Sequence, residues 1–158
     1  MRMGAEFSDC RVYRYALWRE WDLGKMYCTF IGLNPSTADE TVDDPTVRRC
    51  IGFARDWGYG GLRMLNLFAF RATDPKAMKA AVDPVGPGND QALLRYLSDP
   101  INRLTVAAWG EHGVHRSRAW EVRYKLLPGF PMKALGINSG GAPKHPLYVS
   151  ANTEPMTF

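Results

Sequence analysis

What most narrows the fold of this chain is the alternation of short apolar runs with segments of helical period. Residues 26–33, 62–70, 101–109 and 132–135 read as strands. A helix is expected to start near Asp44 or Pro45, where an aspartate cap precedes a proline in the first turn, and Val47, Cys50, Ile51 and Ala54 then recur on one face. Shorter helices are expected after Asp74-Pro75, from a cap at Asn89 with Leu93, Leu94 and Leu97 buried, and over 114–126. This alternation fits the α/β class, as a three-layer α/β/α sandwich with a mainly parallel central sheet. An aromatic, extended segment at 12–18 is expected to pair with 26–33 as an antiparallel hairpin at one end of the sheet.

At 158 residues the chain is expected to form one domain over 1–158, and 46% hydrophobic with 23% charged residues is an ordinary globular composition. The formal net charge of +4 permits a polyanionic partner without requiring one. Cys10, Cys28 and Cys50 make neither a closely spaced metal motif nor an even-numbered disulfide set. Reduced cysteines, the absence of a signal-type apolar stretch and the lack of any run near the ~20 residues needed to cross a bilayer lead to a cytoplasmic expectation, with no membrane partner.

In parallel sheets ligands bind beyond the carboxyl ends of the strands, which directs attention to the loops 32–44, 71–75, 110–115 and 136–147. Gly32-Leu33-Asn34-Pro35-Ser36 combines close backbone approach with a fixed dihedral, so Asn34 either orients a water or substrate group or closes a turn on its own backbone. Asp39, Glu40, Asp43 and Asp44 follow, and a carboxylate there either activates water or belongs to a solvated loop. Asp44 reads as the helix cap, which leaves Asp43 as the candidate for chemistry. Asn66 interrupts an apolar strand, and a buried amide must find backbone, water or ligand; its paired donor and acceptor also match a base edge.

Among the three histidines, His145 is the candidate donor to charge developing on a substrate, against a plain surface histidine. The acidic loop lacks a calcium-loop pattern and the histidine spacing does not assemble a zinc site, so neither metal nor cofactor is expected. Arg48, Arg49, Arg116, Arg118, Arg123 and Lys144 either form a phosphate-binding rim or lie on solvated faces. Trp57, Trp109 and Tyr148 are candidates to stack on a base, with core packing the alternative for Trp109. No Walker loop, dinucleotide fingerprint, nucleophile elbow or kinase set is present.

Read together, these clusters carry two resemblances. Through Ile31-Gly32-Leu33-Asn34-Pro35-Ser36-Thr37-Ala38, Asp44-Pro45-Thr46, Asn66-Leu67-Phe68-Ala69, Ala72-Thr73-Asp74-Pro75 and Ala108-Trp109-Gly110, nearly the whole chain resembles the uncharacterised domain family numbered 1643. Gly32-Leu33-Asn34-Pro35, Leu65-Asn66, Trp109-Gly110-Glu111-His112 and His145-Pro146 are similar, in that order, to the active-site segments of the uracil-DNA glycosylase superfamily. The second resemblance departs where Leu147-Tyr148 stands in place of a second proline and serine, where no clear stacking aromatic follows Pro35, and in the lack of an iron-sulfur cysteine set.

The glycosylase resemblance implies hydrolysis of an N-glycosidic bond of a damaged or modified base in DNA or a nucleotide. In that reading Asn34 and Asp43 place water, His145 stabilises the leaving base, and Asn66, Ser36, Trp109 and Tyr148 hold the base. Arg48, Arg49, Arg116, Arg118 and Lys144 would hold phosphates. The alternative is a non-catalytic module that binds modified nucleotides or nucleic acid, and an oligomer stays open.

Overall fold

A computed structural model describes residues 1–158 as a mixed α/β fold with a seven-stranded sheet. In chain order the elements are β1 (Arg2–Phe7), β2 (Arg14–Glu20), β3 (Tyr27–Gly32), α1 (Pro45–Asp56), β4 (Gly61–Asn66), α2 (Pro75–Ala80), α3 (Asn89–Leu97), β5 (Asn102–Ala107), α4 (Arg118–Glu121), β6 (Lys133–Ala134) and β7 (Met156–Thr157). Short 3-10 turns cover Glu111–Ser117 and Pro146–Tyr148, and a π turn covers Val122–Leu126.

The strand order is β1-β2-β4-β3-β5-β6-β7. Pairing is parallel from β4 through β3 and β5 to β6, and antiparallel for β1-β2, β2-β4 and β6-β7. Chain direction from β3 thus runs first to one neighbour, β4, and then across to the other, β5, which makes the end of β3 the point where strand order reverses.

Alternate side chains of the central strands feed two cores, one on each face. Ile31, Leu65 and Ala107 join Met78, Leu93, Leu97 and Val122 on one side. Phe30, Met64 and Val106 join Val47, Cys50, Phe53 and Ala54 of α1 on the other. Because each central strand is covered twice, it shows a near-continuous apolar run instead of an alternating one.

Several expectations are met by a different arrangement. The strand at 14–20 does not pair with 26–33; β2 lies between β1 and β4, two positions from β3 in the sheet. β1 carries little apolar signal because only Gly4 is buried along it. That glycine lies under the Trp18 indole, where an added Cβ would stand 2.4 Å from Cζ2. Asp44 does cap α1, accepting from the Val47 amide at 2.8 Å with Pro45 in the first turn.

Asn89, by contrast, lies inside α3 behind Gly88, and its Nδ2 donates to the carbonyls of Asn66 and Leu67 at 3.0 Å each. Leu94 points outward. The helix expected over 114–126 is broken at its start, where Arg116 and Ser117 adopt positive φ of 52° and 56°. Two consecutive left-handed residues cannot continue a right-handed helix, and the chain re-enters helical geometry only at α4.

Candidate functional site

A cleft of about 660 Å3 opens beyond the carboxyl ends of β3, β4 and β5. Its wall is assembled from the loop after β3, the end of β4, the first turn of α1, residues 108–112 and the 3-10 turn at Pro146–Tyr148. This is the strand-reversal position at which open α/β sheets bind ligands, and the volume suits a small organic molecule.

Asn66 ends β4 and pairs in register with Gly32 at the end of β3. The residue is 3% exposed, yet its Nδ2 has no partner and its Oδ1 accepts from no protein group. Leaving a buried amide unpaired is unfavourable by about 1–3 kcal/mol, and this side chain keeps a donor and an acceptor that no protein group satisfies. Gly32 makes the position available, because a Cβ there would stand 2.9 Å from Asn66 Oδ1.

Asn34 lies two residues beyond β3. Its Nδ2 donates to the carbonyls of Ala72 (2.9 Å), Pro35 (3.1 Å) and Phe70 (3.4 Å), which staples the two loops and fixes the amide orientation. The remaining Oδ1 takes no protein donor, and the residue lines the cleft.

His145 precedes the Pro146–Tyr148 turn, and its Nδ1 accepts from the Leu147 amide at 3.1 Å. That bond places the ring proton of the neutral form on Nε2. Burial holds the imidazole below its ordinary pKa, only partly opposed by the Asp44 charge, so it is neutral at pH 7 and presents an N–H donor. Tyr148 stands at the mouth, 83% exposed, its ring centroid 5.4 Å from that of His145.

Trp109 reaches the wall but is buried, meeting the Phe158 ring edge-on at 5.8 Å and lying against Gly113. Packing therefore accounts for most of its surface. Ser36 also lines the cleft.

Asp43 does not reach the cleft. Its Oδ1 accepts from Arg19 Nε at 2.8 Å, and Arg19, fully buried, also collects the carbonyls of Gly4, Trp18, Asp39, Glu40 and Val42. The acidic loop is thus wrapped on a buried guanidinium whose charge needs those acceptors. Asp44 lines the cleft instead, and only its Oδ1 is used by the helix cap.

The basic residues expected at a phosphate rim are also elsewhere. Arg118 is 1% exposed and bonds Asp90 Oδ1 and Glu121 Oε1 at 2.6 Å each and the Leu67 carbonyl at 2.8 Å. Arg116 bonds the carbonyls of Ala81 and Val82, Arg48 that of Asp43, and Lys144 Nζ reaches Asn138 Oδ1. Arg49 and Arg123 lie over the rings of Phe53 and Phe158. None of these six lines the cleft. The cation that does is Arg14, a position inside the aromatic segment 12–18 that carries no sequence signal of a site.

No helix is long and apolar enough to cross a membrane. The family described as "Protein of unknown function (DUF1643)" matches residues 14–147, and the chain belongs to that family. Neither a curated protein nor a solved structure matches the chain.

Proposed function

We propose that the cleft binds a nucleobase and hydrolyses the N-glycosidic bond joining it to its sugar, in DNA or a nucleotide. The observation that carries this reading is Asn66, a buried amide at a strand end with donor and acceptor both unpaired. A base edge that offers a carbonyl beside an N–H satisfies both at once. The resemblance to the uracil-DNA glycosylase superfamily supports it further. Gly32-Leu33-Asn34-Pro35, Asn66, Trp109-Gly110-Glu111-His112 and His145-Pro146 all line the one cleft.

In this mechanism a water accepted by Asn34 Oδ1 attacks C1′, forming the new C–O bond as the C1′–N bond breaks. The bonding electron pair passes to the base and spreads onto its carbonyl oxygen, where the His145 Nε2–H donates. Asp44 takes the proton released by the water, through the carboxylate oxygen that the helix cap leaves free. The base leaves with a proton from solvent, so water and glycoside yield free base and sugar hydroxyl. Duplex DNA would first have to extrude the nucleotide, which costs a few kcal/mol and least for a damaged or unpaired base.

A binding module without turnover is favoured by one observation, the three-carbonyl tether on Asn34 Nδ2, which gives that residue a structural task. Incubation with DNA and nucleosides carrying normal, deaminated, methylated and enlarged pyrimidines, with free base detected by mass spectrometry, separates the two. The hydrolytic reading expects free base from at least one member, and His145→Ala to slow single-turnover release by roughly 10- to 1000-fold with a smaller effect on affinity. Binding without release from every member would establish the module. Neither binding nor release would end the nucleobase reading.

A further inference from the structure

Three guanidinium groups are almost wholly removed from solvent, and two of them are saturated. Arg19 meets a carboxylate and five carbonyls, and Arg118 meets two carboxylates and a carbonyl. Arg14, 2% exposed, has a single bond, from Nη1 to the Ala38 carbonyl at 3.1 Å. Its Nε is occluded with no partner, its Nη2 donates to no protein acceptor, and no carboxylate forms an ion pair with it.

A buried charge left in this state carries a large desolvation penalty, which packing elsewhere must offset until a counter-ion arrives. Burial draws the Arg14 pKa down to about 10, so the group still carries its charge at neutral pH. Arg14 lies where the pairing of β2 is irregular: the register with β4 runs from Glu20 to Leu17, and pairing resumes beyond it where the Arg14 amide donates to the Ala69 carbonyl and Tyr13 bridges Phe70. Its side chain forms part of the cleft wall.

The charges around it limit what it can receive. The other ionisable residues of the wall are Asp44, Glu111, His112, His145 and Tyr148, with no lysine and no second arginine. The Asp44 charge favours the charged form of Arg14, against the nearby Arg71 and Arg19 cations, but Asp44 makes no ion pair with Arg14 and is committed through Oδ1 to the α1 cap. A nucleic-acid strand is held by a track of cations along successive phosphates. A wall with one fork of donors and no second arginine or lysine suits one oxyanion.

We propose that Arg14 receives a single phosphate group, so that the cleft takes a free nucleoside monophosphate with its base on Asn66 and its phosphate on Arg14. The base half of this assignment rests on the nucleobase reading above, whereas the phosphate half rests on Arg14 alone.

Calorimetric titration of the full chain with uridine and adenosine, with the 5′-monophosphate of each, with inorganic phosphate and with a short single-stranded oligonucleotide tests it. Arg14→Met removes the charge at similar length, and Arg14→Lys keeps the charge without the fork. The expected result is a monophosphate bound at least 10-fold more tightly than its nucleoside, an advantage that falls to under 2-fold in Arg14→Met and is intermediate in Arg14→Lys. Should Arg14→Met fail to fold, the comparison is made on Arg14→Lys, and an undiminished advantage there refutes the role of Arg14.

Equal affinity of nucleoside and monophosphate, or an advantage that survives in Arg14→Met, overturns the proposal. An oligonucleotide bound more tightly than either monophosphate, with affinity falling steeply in salt, overturns the free-nucleotide class. If no nucleoside or monophosphate binds while inorganic phosphate raises the Tm of the parent chain and not of Arg14→Met, the phosphate site stands and the nucleobase reading falls.

Discussion

Replacing Asn66 should separate stability from binding in a direction opposite to most core substitutions. The side chain is 3% exposed and its Nδ2 lacks a partner, so the folded chain carries a desolvation penalty of about 1–3 kcal/mol there. Asn66→Ala removes the amide, and because the group borders an open cleft, the space left behind is not a sealed void. Lost contacts return part of the gain, and the net expectation lies between no change and about 2 kcal/mol of added stability.

At about 2–4 °C per kcal/mol for a chain of this size, that is a rise in Tm of up to about 8 °C. Asn66→Asp has the opposite sign. It places an unpaired carboxylate where the amide stood, raising its pKa in the folded state, so stability falls at pH 7.5 and the deficit shrinks as acid protonates the group. Thermal unfolding by circular dichroism at pH 7.5 and 5.0, with nucleoside titration of each folded variant, reads all of this. Loss of more than about 1 kcal/mol in Asn66→Ala would refute the reasoning, because it would mean that the amide is already satisfied within the folded chain.

Gly32→Ala brings a methyl to 2.9 Å from Asn66 Oδ1, so the amide must turn; nucleoside affinity should fall by about 10-fold or more while the Tm moves little, a comparison made by calorimetry. Asp44→Asn keeps an effective cap, and should leave stability within about 0.5 kcal/mol while abolishing base release; Asp43→Asn should do the reverse, costing about 1–3 kcal/mol through Arg19 with turnover retained, as read by urea denaturation and single-turnover assay. His145 and His115 are both held below their ordinary pKa by burial, so the unfolded chain takes up more protons in acid; stability should be full above about pH 6.5 and decline as pH falls through the depressed folded values, as measured by urea midpoints between pH 5 and 8.

The elements that could be read from the chain are those whose local chemistry and burial agree. Asp44-Pro45 marks the start of α1 because cap and proline act within one turn, and the apolar runs mark β3, β4 and β5 because both faces of those strands are covered. What could not be read depends on partners distant in sequence. β1 is held by backbone pairing to β2 and by Trp18 over Gly4, neither of which leaves a period in residues 2–7. The break at Arg116 and Ser117 leaves no glycine or proline to announce it.

The same distinction explains the site. Asn34, Ser36, Asn66, Trp109, His145 and Tyr148 are all found on the cleft wall because each lies at or just beyond a strand end or on a loop that the parallel strands gather at one edge. Asp43 and Asp44 are adjacent and chemically alike, and only the position of Arg19, 24 residues before Asp43, decides which of them is bound to the scaffold and which faces the cleft. Residue type alone does not separate a phosphate-binding arginine from a structural one, because a guanidinium takes its role from its acceptors. Arg19 and Arg118 have enough of them to be structural, and Arg14, with one, is the residue whose environment is incomplete without something the chain does not supply.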